Sequence, residues 1–327
     1  MAKRIFDCFS FFNELEVLEI RLNTMAAHVD YVVLAESNRT HQNAPKELHY
    51  ENNKMRFAQF HDKIIHVIVD DMPDAANAKS REHHQRRAIN RGLTQAQPND
   101  VVIISDVDEI LRPSTLAQVR EQDGYFLFNM PMYQFYLNAR ATDAGWNKSF
   151  AFSHRLAARV PDWNFVRVLQ QETFDKFAGE NYLIREAGWH FTFLGGADRV
   201  REKLNSYIHR DQVPEELLTE AGAAKRLASG YDIGGARMTR FVDIDETFPA
   251  YVRDNLDLFV ARGFVKPLSV RVKELESMFA ASEIKRRALI KDMRVALAEI
   301  KAAATPDDVA AISARCDTQL ESAWRAE

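Results

Sequence analysis

Three acidic side chains follow a run of apolar residues in the middle of the chain. Residues 101–104 are all β-branched, and Asp106, Asp108 and Glu109 come soon after them. Open α/β sheets bind ligands outside the carboxyl ends of their strands, so we expect a ligand here. Neighbouring carboxylates repel each other unless a cation neutralises them, and their oxygen atoms suit Mg²⁺ or Mn²⁺. The spacing therefore predicts a metal site that bridges nucleotide phosphates, with a solvated acidic turn as the alternative.

The segments that must position this group alternate between strand-like and helix-like patterns. Apolar runs at residues 5–9, 31–35 and 64–69 precede residues 101–104, and a charged helix is predicted at about 78–93. The runs are continuous rather than alternating, which is typical of strands buried on both faces of a mainly parallel sheet. The alternation of strands and helices predicts an α/β fold with helices flanking that sheet.

The chain after about residue 247 is nearly all helical in pattern. Val272, Leu275 and Phe279 recur at helical spacing, so their apolar stripe needs a partner, either the first domain or a second copy of the chain. The sequence therefore predicts two domains, residues 1–246 and 247–327. We expect that the C-terminal helices of the second domain can form a homo-oligomer.

Composition excludes several classes of protein. The 43 Lys and Arg residues against 47 Asp and Glu residues give a net charge of −4, whereas a nucleic-acid binder normally has a basic excess. With only Cys8 and Cys316, neither a disulfide framework nor a structural zinc site fits. No apolar run approaches the roughly 20 residues that span a bilayer, and the sequence opens with no hydrophobic signal segment. We therefore expect a cytoplasmic protein without a membrane span.

Two classes of enzyme place an Asp-x-Asp motif at a strand end. Haloacid dehalogenase-type phosphatases carry it on an early strand and follow it with a pair of small residues, whereas here Glu109 and Ile110 follow it. Nucleotide-sugar glycosyltransferases of the GT-A fold carry it later, after a nucleotide-binding half, and the late position in this chain favours them. The alternatives are a metal-dependent phosphohydrolase or nucleotidyltransferase, and a carbohydrate-binding protein without catalysis.

Further motifs occur in order between about residues 4 and 210. They are Phe-Asp-Cys-Phe-Ser-Phe-Phe-Asn-Glu at 6–14, Glu-Ser-Asn at 36–38 with Thr40 close behind, Arg-Glu at 81–82, Gln-Arg at 85–86, Ser-Asp-Val-Asp-Glu at 105–109 and Gly-Trp-His at 188–190. Together they resemble glycosyltransferase family 17. The resemblance implies a GT-A-like fold, a UDP-sugar donor and a Mn²⁺ or Mg²⁺ ion, with UDP-GlcNAc as the first candidate for the donor. It also implies inverting transfer to a hydroxyl of a glycan or another acceptor.

Analogy with GT-A enzymes assigns roles to the predicted metal site. Asp108 is expected to bind the metal directly, while Asp106 contacts the ribose or a metal-bound water. His190 ends a predicted strand at a place where such enzymes often supply a third metal ligand. His209 is the competing residue, and a core histidine is the alternative interpretation of His190. Glu109 either orients the two aspartates or caps the next turn.

Other polar side chains are expected to bind the nucleotide. Arg81 and Gln85 lie four residues apart and share one helix face, and a guanidinium group suits phosphate. A solvated cationic face is the alternative. Four more residues follow the first two predicted strands, where a uridine and its ribose would be bound: Asn13, Glu14, Glu36 and Asn38. Helix capping is the alternative for Asn13, and turn formation is the alternative for Asn38.

An inverting transfer also needs a general base, usually Asp or Glu, that removes the proton from the attacking hydroxyl. Asp198 follows a Gly-Gly pair at a predicted helix start, which lies on the acceptor side in several inverting GT-A enzymes. Glu186 and Asp143 are the alternatives for this catalytic role.

Overall fold

The computed structural model describes residues 3–74, 77–159, 162–168, 170–206 and 210–302. By its internal contacts the chain forms a first unit that ends at Lys266 and a second unit that begins at Pro267. This division falls later than the predicted boundary after residue 246. The reason is that Val252 and Phe259 pack into the apolar core of the first unit.

Within the described residues, twelve strands form two sheets. The strands are β1 (Ile5–Phe11), β2 (Tyr31–Ser37), β3 (Ile64–Val69), β4 (Val101–Asp106), β5 (Glu109–Leu111), β6 (Tyr125–Phe128), β7 (Met130–Gln134), β8 (Ala139–Trp146), β9 (Phe150–Ser153), β10 (Asn181–Ile184), β11 (Gly188–Thr192) and β12 (Thr239–Phe241). The first sheet has the order β10-β6-β9-β4-β1-β2-β3, and the second has the order β12-β8-β7-β11-β5.

Helices connect and flank these strands. The α-helices are α1 (Leu15–Met25), α2 (His49–Asn53), α3 (Ala78–Arg87), α4 (Pro113–Glu121), α5 (Trp163–Val168), α6 (Gln170–Lys176), α7 (Gly196–Ser206), α8 (Glu220–Ser229), α9 (Ala250–Asp254), α10 (Leu256–Ala261) and α11 (Leu268–Ala302). Short 3₁₀ helices cover Lys54–Lys63, Ala88–Gly92, His154–Arg159, Arg210–Gln212 and Glu215–Leu218.

The first sheet is mainly parallel. Strand β1 lies between β2 and β4 and runs parallel to both. Strands β2 and β3 also pair in parallel, as do β6 and β10, whereas β9 runs antiparallel to β4 and β6. The carboxyl ends of β1, β2 and β4 therefore meet at one edge of the sheet. The predicted mixed α/β architecture with flanking helices is confirmed.

Strand β1 is buried on both faces, as its continuous apolar run predicts. Ile5 and Phe9 belong to one apolar core, while Phe6 and Cys8 belong to another. Because successive side chains of a strand point to opposite faces, these two cores cover the two sides of the sheet. Asp7 shares the face of Ile5 and Phe9, so its carboxylate is buried and needs a partner there.

The second sheet brings the segment after the Asp-x-Asp motif next to the Gly-Trp-His motif. Strands β5 and β11 pair antiparallel, with His190 opposite Glu109 and Trp189 opposite Ile110. A Cβ atom at Gly188 would lie 2.0 Å from the carbonyl oxygen of Ile110, so glycine is required for this close approach. The pairing fixes His190 beside residues 106–109, called the acidic loop below, although the two are distant in sequence.

Helix α11 begins the second unit and is 35 residues long. Its apolar side chains include Val272 and Phe279, which are 52% and 69% exposed. An apolar stripe on a helix normally packs against another surface, so self-association through this helix stays a prediction. Separately, none of the helices in the described ranges is both long enough and apolar enough to cross a membrane.

Candidate active site

A cavity of about 760 Å³ opens at the carboxyl ends of β1 and β4. Its wall includes Phe11 from β1, Asp106 and Asp108 from the acidic loop, His190 from β11 and Lys203 from α7. The volume falls in the range of small-molecule and cofactor sites. Its position agrees with the rule that open α/β sheets bind ligands at this edge.

Arg21 of α1 holds the acidic loop from beneath. Its side chain is fully buried and donates hydrogen bonds to the main-chain carbonyl oxygens of Asp106, Val107 and Glu109, at 3.0, 3.2 and 2.9 Å. The same guanidinium group pairs with Asp7 of β1, with an Nη2–Oδ1 distance of 2.5 Å. This pair was not predicted from the sequence, although a charged residue of each sign within otherwise apolar elements is a signal for it.

Glu109 is fully buried and organises the loop from the other side. Its carboxylate accepts hydrogen bonds from the amide of Asp106 at 2.7 Å, from Trp146 Nε1 at 2.5 Å and from Ser149 Oγ at 2.5 Å. Two nitrogens of Arg167 also donate to it, each at 3.1 Å. Burial raises the pKa of Glu109, but Arg167 outweighs burial and lowers the pKa to about 2. Of the two roles predicted for Glu109, the contacts match the orienting one.

Asp106 is the more exposed of the two aspartates, with 36% of its side chain open to solvent. Its Oδ2 accepts a hydrogen bond from Arg167 Nη2 at 2.6 Å, and its Oδ1 lies 3.4 Å from Arg86 Nη2. Arg167 lies on α5 and Arg86 on α3, so two arginines from different helices compensate one carboxylate. Since Arg86, Arg167 and Asp106 all line the cavity, the same cations are available to an anionic ligand.

Asp108 has different neighbours. Its side chain is 7% exposed, its Oδ2 accepts a hydrogen bond from Lys203 Nζ at 2.9 Å, and its Oδ1 lies 3.6 Å from His190 Nε2. Burial raises the pKa of Asp108, but Lys203 and His190 outweigh burial and hold it well below its usual range. The His190 ring packs against Trp146 with centroids 4.5 Å apart. Its Nδ1 atom is buried and has no hydrogen-bond partner within the described part of the chain.

Asp108 and His190 fit a divalent cation as a pair. The 3.6 Å between Oδ1 and Nε2 is too long for a hydrogen bond. Two ligands that each lie about 2.1 Å from one cation are at most about 4.2 Å apart, so the pair can share an ion. Across the described ranges, no group of three His, Cys, Asp or Glu residues is placed to hold a metal. The remaining ligands would therefore come from phosphate or water. His209, the competing residue, lies outside the described residues.

Two of the residues predicted to bind the nucleotide, besides Asp106, line the cavity. They are Glu14 and Gln85. Gln85 Nε2 donates to the carbonyl oxygens of Phe11 and Ala35, at 3.2 and 2.9 Å, so its amide ties β1 to β2. Gln85 Oε1 lies 2.9 Å from Nε2 of His41, another residue of the wall.

The other predicted nucleotide-binding residues lie outside the lining of this cavity. Glu36 is fully buried and accepts hydrogen bonds from the amide of Tyr50 at 3.0 Å and from Lys46 at 3.4 Å. Arg81 donates to the carbonyl oxygen of His41 at 2.7 Å, so this interaction holds the loop after β2. The last two predicted residues are Asn13, which lines a smaller neighbouring cavity, and Asn38.

The residues predicted as the general base are not brought to the acidic loop. Asp198 lies in the first turn of α7 with 73% of its side chain exposed, 3.2 Å from Arg201. Glu186 is 61% exposed and lies 3.5 Å from Arg140. Neither lines the cavity. The side chain of Asp143 is outside the described residues.

Comparisons with known proteins agree with the motifs. A family model described as glycosyltransferase family 17 matches residues 1–238. Beta-1,4-mannosyl-glycoprotein 4-beta-N-acetylglucosaminyltransferase of Rattus norvegicus and that of Homo sapiens are each 26% identical over 142 residues, which cover 40% of this chain and 26% of each relative. The chain thus spans about a quarter of the length of the curated relatives it matches.

A comparison with a solved structure shows similarity at a low level. The inositol-1-phosphate CTP transferase of T. maritima is 10% identical, and the match covers 57% of this chain and 86% of that chain with a TM-score of 0.35. This TM-score is too low to show a shared fold. The family model, in contrast, matches well over half of the chain, and the resemblance seen in the motifs is confirmed: the chain belongs to glycosyltransferase family 17.

Proposed function

We propose that this protein transfers a sugar from a UDP-sugar to a hydroxyl of a glycan or another acceptor. UDP-GlcNAc is the first candidate for the donor. The transfer inverts the configuration at the anomeric carbon and depends on Mn²⁺ or Mg²⁺. The proposal includes a GT-A-like fold for the first unit and a cytoplasmic location. Family membership and the N-acetylglucosaminyltransferase activity of the relatives support this choice of donor. The observation that supports a metal ion is the pair of Asp108 and His190, whose Oδ1 and Nε2 atoms lie 3.6 Å apart in the cavity wall.

Different residues of this chain would bind different parts of the donor. A cation held by Asp108 and His190 would act as a Lewis acid on the departing diphosphate. Arg86 and Arg167 line the same cavity, and their guanidinium groups suit phosphate oxygens. Arg21 donates three hydrogen bonds to main-chain carbonyl oxygens, so the main chain on either side of Asp108 is held in place before an ion binds.

A carboxylate of the cavity wall removes the proton from the acceptor hydroxyl in this proposal. Glu14, Glu82 and Asp232 line the cavity, in addition to the two aspartates of the acidic loop. A general base must lie within hydrogen-bond reach of the hydroxyl that attacks C1. Asp198 and Glu186 are exposed outside the cavity, so the same role at either position requires a movement of its segment.

Replacement of Asp108 tests the proposed function. We expect Asp108→Asn to weaken Mn²⁺-dependent binding of UDP at least tenfold, about 1.4 kcal/mol, and to abolish transfer from UDP-GlcNAc. The fold should be kept, because asparagine has the same shape and Lys203 retains Glu14 as a neighbour, 3.5 Å away. Calorimetric titration with UDP, with and without Mn²⁺, measures the binding.

Asp198→Asn is the matched control, since it makes the same chemical change at an exposed carboxylate outside the cavity. It should leave Mn²⁺-dependent UDP binding unchanged. Product analysis with UDP-GlcNAc and sugar acceptors separates sugar transfer from phosphate release and from binding without turnover. Wild-type affinity for UDP and Mn²⁺ in Asp108→Asn contradicts the metal assignment, and phosphate release alone contradicts the transfer.

A further inference from the structure

Lys203 places a positive charge where the proposed metal site has its negative charge. Its Nζ atom lies 2.9 Å from Asp108 Oδ2, 3.5 Å from Glu14 Oε1 and 3.4 Å from Thr192 Oγ1. The side chain belongs to the cavity wall and is 26% exposed. The ammonium group thus lies between two carboxylates, one of which is the predicted metal ligand.

Both carboxylates lie within 3.5 Å of this ammonium group and favour its charged form. Asp108 is nearly buried, so its carboxylate needs a compensating cation, and Lys203 supplies one. A divalent ion on the same carboxylate meets the repulsion of this ammonium group at short range, where solvent screens it little.

We propose that Lys203 is an internal cation that competes with the metal for Asp108 and is drawn away by the diphosphate of the donor, so that metal and nucleotide bind together. The inference rests on the proposed function. Glu14 lies within reach of the ammonium group when it leaves Asp108. Phosphate oxygens offer a further partner, because a lysine binds phosphate as a point charge. The residue thereby couples the two ligands rather than only filling space.

The test measures Mn²⁺ affinity by calorimetry on the full chain, with and without saturating UDP, for the wild type and for Lys203→Met. Methionine keeps much of the length of lysine and removes the charge. We expect the wild type to bind Mn²⁺ at least tenfold more tightly in the presence of UDP. Lys203→Met should bind Mn²⁺ alone at least tenfold more tightly than the wild type and should gain less from UDP.

Two further variants keep the test decisive. Lys203→Arg keeps a cation at the position and should bind Mn²⁺ alone as weakly as the wild type. Lys79→Met removes an exposed lysine of the same cavity wall, so it controls for the general loss of positive charge and should not strengthen Mn²⁺ binding. Thermal melts of each variant confirm that the protein is folded.

The outcomes separate the two proposals. If UDP binding of the wild type depends on Mn²⁺ but Lys203→Met binds Mn²⁺ alone no more tightly than the wild type, the role of Lys203 is overturned and the proposed function stands. If Lys79→Met strengthens Mn²⁺ binding as much as Lys203→Met, general charge explains the effect and the specific role is again overturned. If no variant binds Mn²⁺ under any condition, both the metal site and the role of Lys203 are overturned.

Discussion

Asp108 and Glu109 are adjacent in the chain, yet their surroundings are opposite. Glu109 is fully buried, and its two oxygens accept hydrogen bonds from a main-chain amide and three side chains. Asp108 faces the cavity and contacts Lys203 and His190, which line it too. The Glu109 carboxylate holds the loop in place, while the Asp108 carboxylate faces the cavity and is accessible to a ligand there. An acidic motif thus contains both a scaffold and a site.

Buried ion pairs hold the Glu109 side of the acidic loop. They fix the geometry of the loop more than they add to the free energy of unfolding. Arg21 lies beneath the loop and Arg167 beside it, and both guanidinium groups are nearly or fully buried. A buried pair that loses one partner leaves an uncompensated charge, which costs far more than a surface pair. Variants on this side should therefore change stability, while variants on the Asp108 side should change ligand binding.

Arg21→Met is expected to have the largest effect on stability. It leaves the Asp7 carboxylate buried without its partner and removes three hydrogen bonds from the acidic loop. We expect a loss of about 3–5 kcal/mol in the free energy of unfolding, measured by chemical denaturation. Arg56→Met, which removes a partly exposed pair with Glu19, is the control and should cost less than about 1 kcal/mol. Equal losses in the two variants contradict the role given to Arg21.

Glu109→Gln should have a smaller effect that depends on pH. The pKa of Glu109 is lowered to about 2 in the folded state from the ordinary value of 4.5, so its ionised form contributes stability above pH 4.5. That contribution is lost as pH falls from about 4.5 to about 2. We expect the variant to lose about 2 kcal/mol at neutral pH and to be less sensitive to acid than the wild type. Denaturation curves at several pH values measure both, and parallel curves contradict the assignment.

The strands and the location of the site follow from local sequence, because apolar runs and their polar ends are local signals. The partners of the acidic loop do not. Arg167 and Lys203 reach Glu109 and Asp108 from helices that lie 58 and 95 residues further along the chain. Only the folding of the whole first unit decides which cation meets which carboxylate.

Position at a strand end was also an incomplete guide to binding. Glu36 lies near the end of β2, as a ligand-binding residue would, but its carboxylate accepts hydrogen bonds from Lys46 and from the amide of Tyr50 and does not line the cavity. The alternation of side chains along a strand sends one residue to the ligand and the next to the core. A sequence shows the strand end more readily than the face that each residue takes.

His190→Phe should change stability least and separates packing from binding. Phenylalanine keeps a ring against Trp146 and removes the buried Nδ1 atom that has no partner in the described part of the chain, so we expect a change in the free energy of unfolding within about 1 kcal/mol. Loss of Nε2 should weaken Mn²⁺ binding in the presence of UDP at least tenfold. His83→Phe, at another histidine of the cavity wall, is the control and should leave Mn²⁺ affinity unchanged. If His190→Phe binds Mn²⁺ as the wild type does, His190 is a packing residue and Asp108 holds the ion without it.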